Sequence, residues 1–397
     1  MNVAMDKVTT IWSNAPTVDT GKLRSTEATL AAAGIVGTVA AVQLLTDWNP
    51  LGRCYTFWKQ LRSHEKRLSC AGSVKEGADG YLGLHNEEDV QVRTSQYKKL
   101  VNAYYDLATV FYEWGWGPSF HFHSRFPFET FWEGTRRHEY QLAAHLNVKK
   151  DAHVLDVGCG IGGPMRNIAR FLNCRVTGLT LNPYQVERGN EICARDATVA
   201  KTTKLVQGDF MELPFEKNSF QGAYAIEATC HAPDRVKCYK QVYDVLEPGA
   251  RFVLYEWCMT DKYDPNNADH QFMKKKIEEG NGLPDITTCR ECYKAMEAAG
   301  FEMVEAYDYA EGYEADGLAK PWYTPLTASW NPISQRFQFN WLGSKITNVA
   351  IYMLEMLFIA PKGTIATQKY LQEGAFALRD AGKQQIFTTA YFMVGQK

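Results

Sequence analysis

Residues 154–163 read Val-Leu-Asp-Val-Gly-Cys-Gly-Ile-Gly-Gly, and few folds can use such a run. A short apolar strand carrying Asp156 feeds directly into glycines, and helical spacing resumes at about 164–171. Glycines let main chain approach a ligand closely, and the N-terminus of the following helix offers N–H groups with no partner of their own. Gly158, Gly160 and Gly163 satisfy the G-x-G-x-x-G spacing of dinucleotide binders. That reading needs an acid at the end of the next strand to hold a ribose. The next strand ends instead at Thr180-Leu-Asn182, which argues against a nicotinamide oxidoreductase. A tight strand-to-helix turn that binds nothing is the plain alternative. The order of acid and glycines after a strand weighs against it. Around this motif, apolar runs at 153–157, 175–181, 203–207, 222–226, 251–256 and 302–308 alternate with helical patterns. Such alternation predicts an α/β fold, a parallel sheet with helices on both faces, between about 136 and 310.

An acid placed before the first glycine resembles the S-adenosylmethionine methyltransferases. That resemblance implies a Rossmann-like class I sheet in which Asp156 orders the loop and faces the amino-acid end of the cofactor, with Gly158, Cys159, Gly160 and Gly162 around it. Two further strand ends fit. Asp209 and Phe210 close the third apolar run; by resemblance the acid accepts from the adenine amine and the ring covers the base, although an Asp in a surface turn is common by itself. Ile226-Glu-Ala-Thr-Cys-His-Ala-Pro233 closes the fourth, and strand carboxyl ends are where open α/β sheets hold ligands. Glu227 is counted on both the cofactor and the catalytic side. Asn182 and Gln185 are ribose-side candidates, because an amide can still bond a hydroxyl.

Four segments carry a closer resemblance: Tyr112-Glu-Trp-Gly-Trp-Gly-Pro-Ser-Phe-His-Phe122, the glycine run, the Ile226 segment, and Tyr255-Glu-Trp-Cys-Met-Thr-Asp-Lys-Tyr263. Together they resemble the sterol 24-C-methyltransferase family from about residue 97 to the C-terminus, where Pro321-Trp-Tyr323 and Ala360-Pro-Lys-Gly363 are also similar. The resemblance implies methyl transfer from S-adenosylmethionine to C-24 of a sterol side-chain double bond, through a carbocation. An alkene needs no base to attack, but the cation that follows needs a dry site, stabilisation and one proton acceptor. Tyr112, Trp114, Trp116 and Phe120 offer ring faces, and the candidate acceptors are Glu113, Glu227, His231, Tyr255 and Glu256. An ordinary aromatic core cluster is the composition-only reading of the first segment. The implied organisation is an N-terminal segment over 1–96, a helical aromatic-rich substrate segment over 97–135, a cofactor-binding methyltransferase domain over 136–310 and a C-terminal sterol-binding domain over 311–397. Two other readings compete: a methyltransferase for another greasy acceptor, such as a tocopherol or quinone ring, and a sterol carrier without catalysis.

Composition bounds the partners. Lys+Arg is 43 and Asp+Glu is 45, a balance that argues against a nucleic-acid partner held by phosphate neutralisation. The 10 scattered cysteines read as reduced thiols, and Cys289-x-x-Cys292 as structural rather than metal-binding. His121 and His123 read as strand-like alternation. Residues 28–46 carry no charge, and as a helix would reach roughly 28 Å, barely enough for a bilayer core. Six alanines, two glycines and three threonines dilute the run, while Lys22 and Arg24 precede it and Arg53, Lys59 and Arg62 follow among Trp48, Tyr55, Phe57 and Trp58. A single-span anchor and a packed Ala-rich helix both stay open; a cleaved signal peptide fits less well, since the run starts late and the cysteine usage is not secretory. Residues 63–96, dotted with glycine, read as linker. The expectation is a protein of the endoplasmic reticulum membrane with its catalytic domain facing the cytosol, bound by an anchor or at the membrane surface. A homo-oligomer is left open.

Overall fold

Near-continuous apolar runs such as His-Val-Leu-Asp-Val and Phe-Gln-Gly-Ala-Tyr-Ala-Ile are what strands covered on both faces require. The computed structural model describes residues 90–397 except 314–315, 332–333 and 359, together with 76, 79–81 and 83. The candidate anchor at 28–46 lies outside the described residues. Among those described, no helix is long and apolar enough to cross a membrane.

In chain order the helices and strands are α1 (Val90–Ser95), α2 (Tyr97–Trp116), α3 (Phe131–His145), β1 (His153–Val157), α4 (Gly163–Leu172), β2 (Arg175–Thr180), α5 (Pro183–Arg195), β3 (Thr203–Gln207) and β4 (Phe220–Ile226). They continue with α6 (Arg235–Val245), β5 (Leu246–Met259), α7 (Ala268–Asn281), α8 (Cys289–Ala298), β6 (Glu302–Asp308), α9 (Tyr309–Tyr313), α10 (Trp341–Met356), α11 (Thr364–Lys383) and β7 (Phe387–Gln396). The sheet order is β3-β2-β1-β4-β5-β7-β6, parallel from β3 to β5, with β7 antiparallel to both of its neighbours. This is the expected Rossmann-like α/β sheet, and all six expected strands are present.

Three features differ from expectation. The stretch read as linker contains α1 and helical residues 79–81. The helical pattern that the sequence carries over about 350–358 belongs to a helix that begins already at Trp341. A seventh strand, β7, had no forecast. It lies between β5 and β6, with Arg251 opposite Gln396 and Met259 opposite Phe387, so residues from the C-terminal segment complete the sheet.

One apolar core fills each face of the sheet. A third cluster joins Phe122, Trp257, Trp322, Ile277 and Leu378, tying the 112–122 segment to β5, α7 and α11. Local signals set the helix starts. Thr130 and Glu133 form a reciprocal capping box on α3, Thr288 and Glu291 on α8, and Asn182 caps α5 ahead of Pro183. Cys292 on α8 is buried, with its Sγ 3.5 Å from that of Cys258.

Candidate active site

Strand order reverses between β1 and β4, and the crevice outside their carboxyl ends is where such sheets take ligands. Here β1 delivers Asp156 and the glycine loop, and β4 delivers Glu227. A first cleft of about 740 Å³ opens at this point. Its walls include Asp156, Gly158, Cys159 and Gly160 from the loop, Asn182 and Gln185 from the start of α5, Phe210, Glu227, and His231. Gly158 and Gly160 hold φ values of +80° and +54°, the left-handed region that favours glycine. A Cβ on Gly158 would stand 2.4 Å from the Ala228 Cβ.

The aromatic segment folds over this loop. A Cβ on Gly163 would meet the Pro118 carbonyl oxygen at 2.1 Å, and one on Gly160 would touch the Phe120 ring at 3.5 Å. The Phe122 N–H donates to Glu227 Oε1 at 2.8 Å, fixing the segment to the end of β4. A smaller chamber of about 440 Å³ lies beyond, walled by Tyr105, Tyr112, Trp116, Phe120, Phe122, Trp257 and the polar groups His121, Glu227 and His231. It shares Tyr105, Phe120, His121, Glu227 and His231 with the first cleft. It shares Tyr112, Trp116, Phe122 and Asn281 with a third, mostly apolar cleft of about 720 Å³ formed by α2, α7, α11 and Phe339. Three adjoining spaces therefore run from the glycine loop to an apolar slot, and α2 borders all of them.

Burial sets the electrostatics. Asp156 is buried and accepts from the Tyr224 hydroxyl at 2.9 Å; burial pushes its carboxyl up to about 7, against the lowering effect of that bond. Burial likewise pushes Glu227 up to about 8, opposed by the charge of His121, the indole N–H of Trp257 and the N–H of Phe122. Its backbone has φ +52°; the indole N–H of Trp257, another wall of the chamber, acts on the carboxyl but stands outside good hydrogen-bond geometry, so neither Oε2 nor the indole nitrogen has a well-formed hydrogen bond among the described residues. His231 is pulled down to about 4, chiefly by burial, and is neutral at pH 7. Its Nδ1 lies 3.0 Å from the Gly282 carbonyl and must carry the proton, which leaves Nε2 to accept from the Tyr105 hydroxyl at 2.9 Å.

Other expected site residues are placed elsewhere. Glu113 lines none of the three spaces. Its carboxylate takes both prongs of Arg188, Oε1 to Nη2 at 2.5 Å and Oε2 to Nε at 3.1 Å, so it clamps α2 to α5 and is not poised to receive a proton from the chamber. Tyr255 points into the opposite core, its ring stacked 3.8 Å from that of His138. Glu256 is fully buried and accepts from Thr229, from Tyr239 at 3.0 Å and from the Trp257 N–H at 3.0 Å, with Arg235 at 3.9 Å. These bonds and the guanidinium make it a strut. Asp209 does not line the cleft either: it accepts from Tyr97 and from the Met211 N–H at 2.8 Å and pairs with Lys98 at 2.7 Å. Gly162 serves as the N-cap of α4 with φ +73°. Asn182 and Gln185 border the cleft, but their amides already donate to Asp106 at 2.7 Å and Thr109 at 3.3 Å on α2. The side chain of Trp114 lies outside the described part.

Sequence reasoning missed His121, Tyr105, Trp257 and Asn281. His121 donates through Nδ1 to the Phe122 carbonyl at 3.0 Å and through Nε2 to Glu139 at 3.1 Å. Burial works against its charge, but the Glu139 bond and charge outweigh that and raise its pKa. The available signal for α2 was Asp106 and Thr109, buried polar groups in an apolar helix.

The family described as methyltransferase domain matches residues 155–254, and that described as sterol methyltransferase C-terminal matches 334–397. The chain is 47% identical to cycloartenol-C-24-methyltransferase 1 of Oryza sativa subsp. japonica, over 82% of this chain and 93% of that one. It is 48% identical to cycloartenol-C-24-methyltransferase of Arabidopsis thaliana, over 79% and 90%. It is 38% identical to a sterol 24-C-methyltransferase of Saccharomyces cerevisiae, over 81% and 86%. Among solved structures, mycolic acid cyclopropane synthase CmaA1 superposes with a TM-score of 0.58 at 15% identity, over 76% of this chain and 98% of that one, a likeness of fold alone. At these identities and coverages, the chain belongs to the sterol 24-C-methyltransferase family.

Proposed function

We propose that this chain transfers a methyl group from S-adenosylmethionine to C-24 of a sterol side-chain double bond. The observation that carries the reading is the shared wall: Glu227 and His231 border both the glycine-loop cleft and the ring-lined chamber that leads to the apolar slot. When bound, S-adenosylmethionine supplies an electrophilic methyl group. The residues that would hold it are Asp156, Gly158, Gly160 and Phe210, with Phe120 closing over the loop; the left-handed glycines and the buried, under-bonded Asp156 fit such a guest.

The sterol tail would occupy the slot between α2, α7 and α11, so the 97–135 segment and the C-terminal segment serve the acceptor while 136–310 serves the donor. Placing the alkene against the first cleft removes most of the entropic barrier. Positive charge then appears on the sterol carbon. Tyr112, Trp116, Phe120, Phe122 and Trp257 wall the chamber that would receive it, and a desolvated cation–π contact there would contribute about 2 kcal/mol. Glu227 is the proton acceptor we assign. It is neutral in the empty site, and the cation lowers its pKa when a base is needed. His121, whose pKa Glu139 raises, and His231, held neutral, shape the surrounding field and act as positioning residues. A tocopherol or quinone ring is not favoured, because the relatives named above are sterol methyltransferases.

The same reading puts the protein on the endoplasmic reticulum membrane with the catalytic unit in the cytosol; the buried thiols and the uncharged run at 28–46 support it. Incubation with methyl-labelled S-adenosylmethionine and a panel of sterols and phenols tests the activity. Label at C-24 of sterols bearing a side-chain double bond is expected. Label on a phenol ring, or on no acceptor, refutes it.

A further inference from the structure

Helix α10 is built inside out. Trp341, Ile346, Val349, Tyr352, Met353 and Met356 lie on one face and are all exposed, from 50% for Met353 to 62% for Trp341 and Val349. The polar residues Ser344, Thr347, Asn348 and Glu355 face the protein and are half-buried. Ser344 donates to Gln372 on α11 at 3.1 Å, and Glu355 accepts from the Ile365 N–H. Gly343 packs so closely that a Cβ there would stand 1.9 Å from the Phe337 carbonyl oxygen. A helix in water turns its apolar stripe inward. One that turns it outward is matched to an apolar medium, and an apolar patch of this extent marks an interaction surface.

We infer that the outward face of α10 lies on a lipid bilayer and that the sterol reaches the apolar slot from that membrane. The inference rests on the sterol reading above, and three observations favour lipid over a protein partner. The face is continuous with the slot: Gln338 and Phe339, in the turn leading into α10, and Gln372, bonded to Ser344, are slot walls. The face has Lys345 as its single charge, with the ammonium 5.5 Å from the Trp341 ring, an amphipathic pair suited to the headgroup level. Sixteen residues reach about 24 Å as helix, short of a bilayer core of about 30 Å, so the helix lies in the interface and does not span it.

The test uses the full chain and the double variant Val349→Glu/Met353→Glu. With the sterol dissolved in phosphatidylcholine vesicles, kcat/KM should fall about tenfold or more, while turnover of cyclodextrin-delivered sterol and the melting temperature stay near wild type. Brominated phosphatidylcholine should quench a share of the tryptophan emission that is lost in Trp341→Phe. Equal kcat/KM on vesicles, or equal quenching in Trp341→Phe, overturns the inference. So does a wild-type dimer that the double variant dissociates, which would mean that a second copy covers the face. Failure of sterol methylation itself would appear as no turnover with cyclodextrin-delivered sterol, and the quenching would still report on the membrane.

Discussion

Glu227 carries two costs at once: a left-handed backbone and a buried carboxyl with one oxygen lacking a well-formed hydrogen bond among the described residues. Such a residue persists where function needs it. Glu227→Gln keeps the shape and the bond from the Phe122 N–H but removes the proton acceptor. Turnover should fall by about 100-fold or more, with donor affinity by calorimetry nearly unchanged. In the wild type, kcat/KM should rise with pH through an ionisation near 8 that is absent in Glu227→Gln, beside that of Asp156 near 7, and the kcat profile should lie at lower pH because bound positive charge favours the carboxylate. The same shift has a stability sign. A carboxyl raised from 4.5 to about 8 holds its proton in the native state after the unfolded chain has lost it, so its contribution is full below pH 4.5 and is lost as pH rises toward 8. Thermal melts of Glu227→Gln should therefore decline less steeply over that window. Glu113 is the contrast. From sequence it stands beside Tyr112 and Trp114 and looks equally catalytic. The turn of the helix sends it to Arg188 instead. Glu113→Gln should leave turnover within a few-fold of wild type and cost about 1 kcal/mol of stability, a coupling that a double-mutant cycle with Arg188→Ala would return.

At the level of elements, the glycine loop and its strand could be read directly, because the residues that make them are contiguous and their chemistry is local. The aromatic segment could be read as a unit but not ring by ring, since helix phase decides which side chain faces the chamber. His121, in the irregular stretch after α2, was hidden for a different reason: its partner Glu139 lies on α3, 18 residues away. Asp209 is the reverse case, a local pattern that is legible while its contacts are not: its carboxylate meets Tyr97 and Lys98, both from α2. Helix pairing adds a contact with no sequence signature beyond two glycines. A Cβ on Gly280 of α7 would stand 2.4 Å from the Gly374 Cα of α11, so the two backbones touch. That contact sets the width of the apolar slot, which Gly280, Asn281, Leu371, Gln372 and Ala375 border. Gly374→Ala should force the helices apart, costing about 2 kcal/mol in denaturant unfolding. It should raise KM for the sterol while leaving donor binding alone.

For the molecule as a whole, β7 decides what can be cut. The strand was invisible to pattern reading because its partners, β5 and β6, lie far upstream, and non-local pairing leaves no local signal. Its position between them means that the segment lining the apolar slot also completes the sheet that carries the glycine-loop cleft. Removing it would strip a neighbour from β5 along eight paired residues, leave β6 with no strand beside it, and uncover the apolar core on both faces. Phe392, Met393 and Val394 are fully buried, and at about 2 kcal/mol each their loss rivals the whole net stability of a domain. A fragment spanning 97–310, which contains every glycine-loop residue, should therefore lack a cooperative melt, bind a hydrophobic dye and fail to bind S-adenosylmethionine by calorimetry. The 90–397 chain should melt cooperatively and bind it. A sharp transition and intact donor binding in the shorter fragment would show that the sheet closes without β7, and that donor and acceptor halves fold as separable domains.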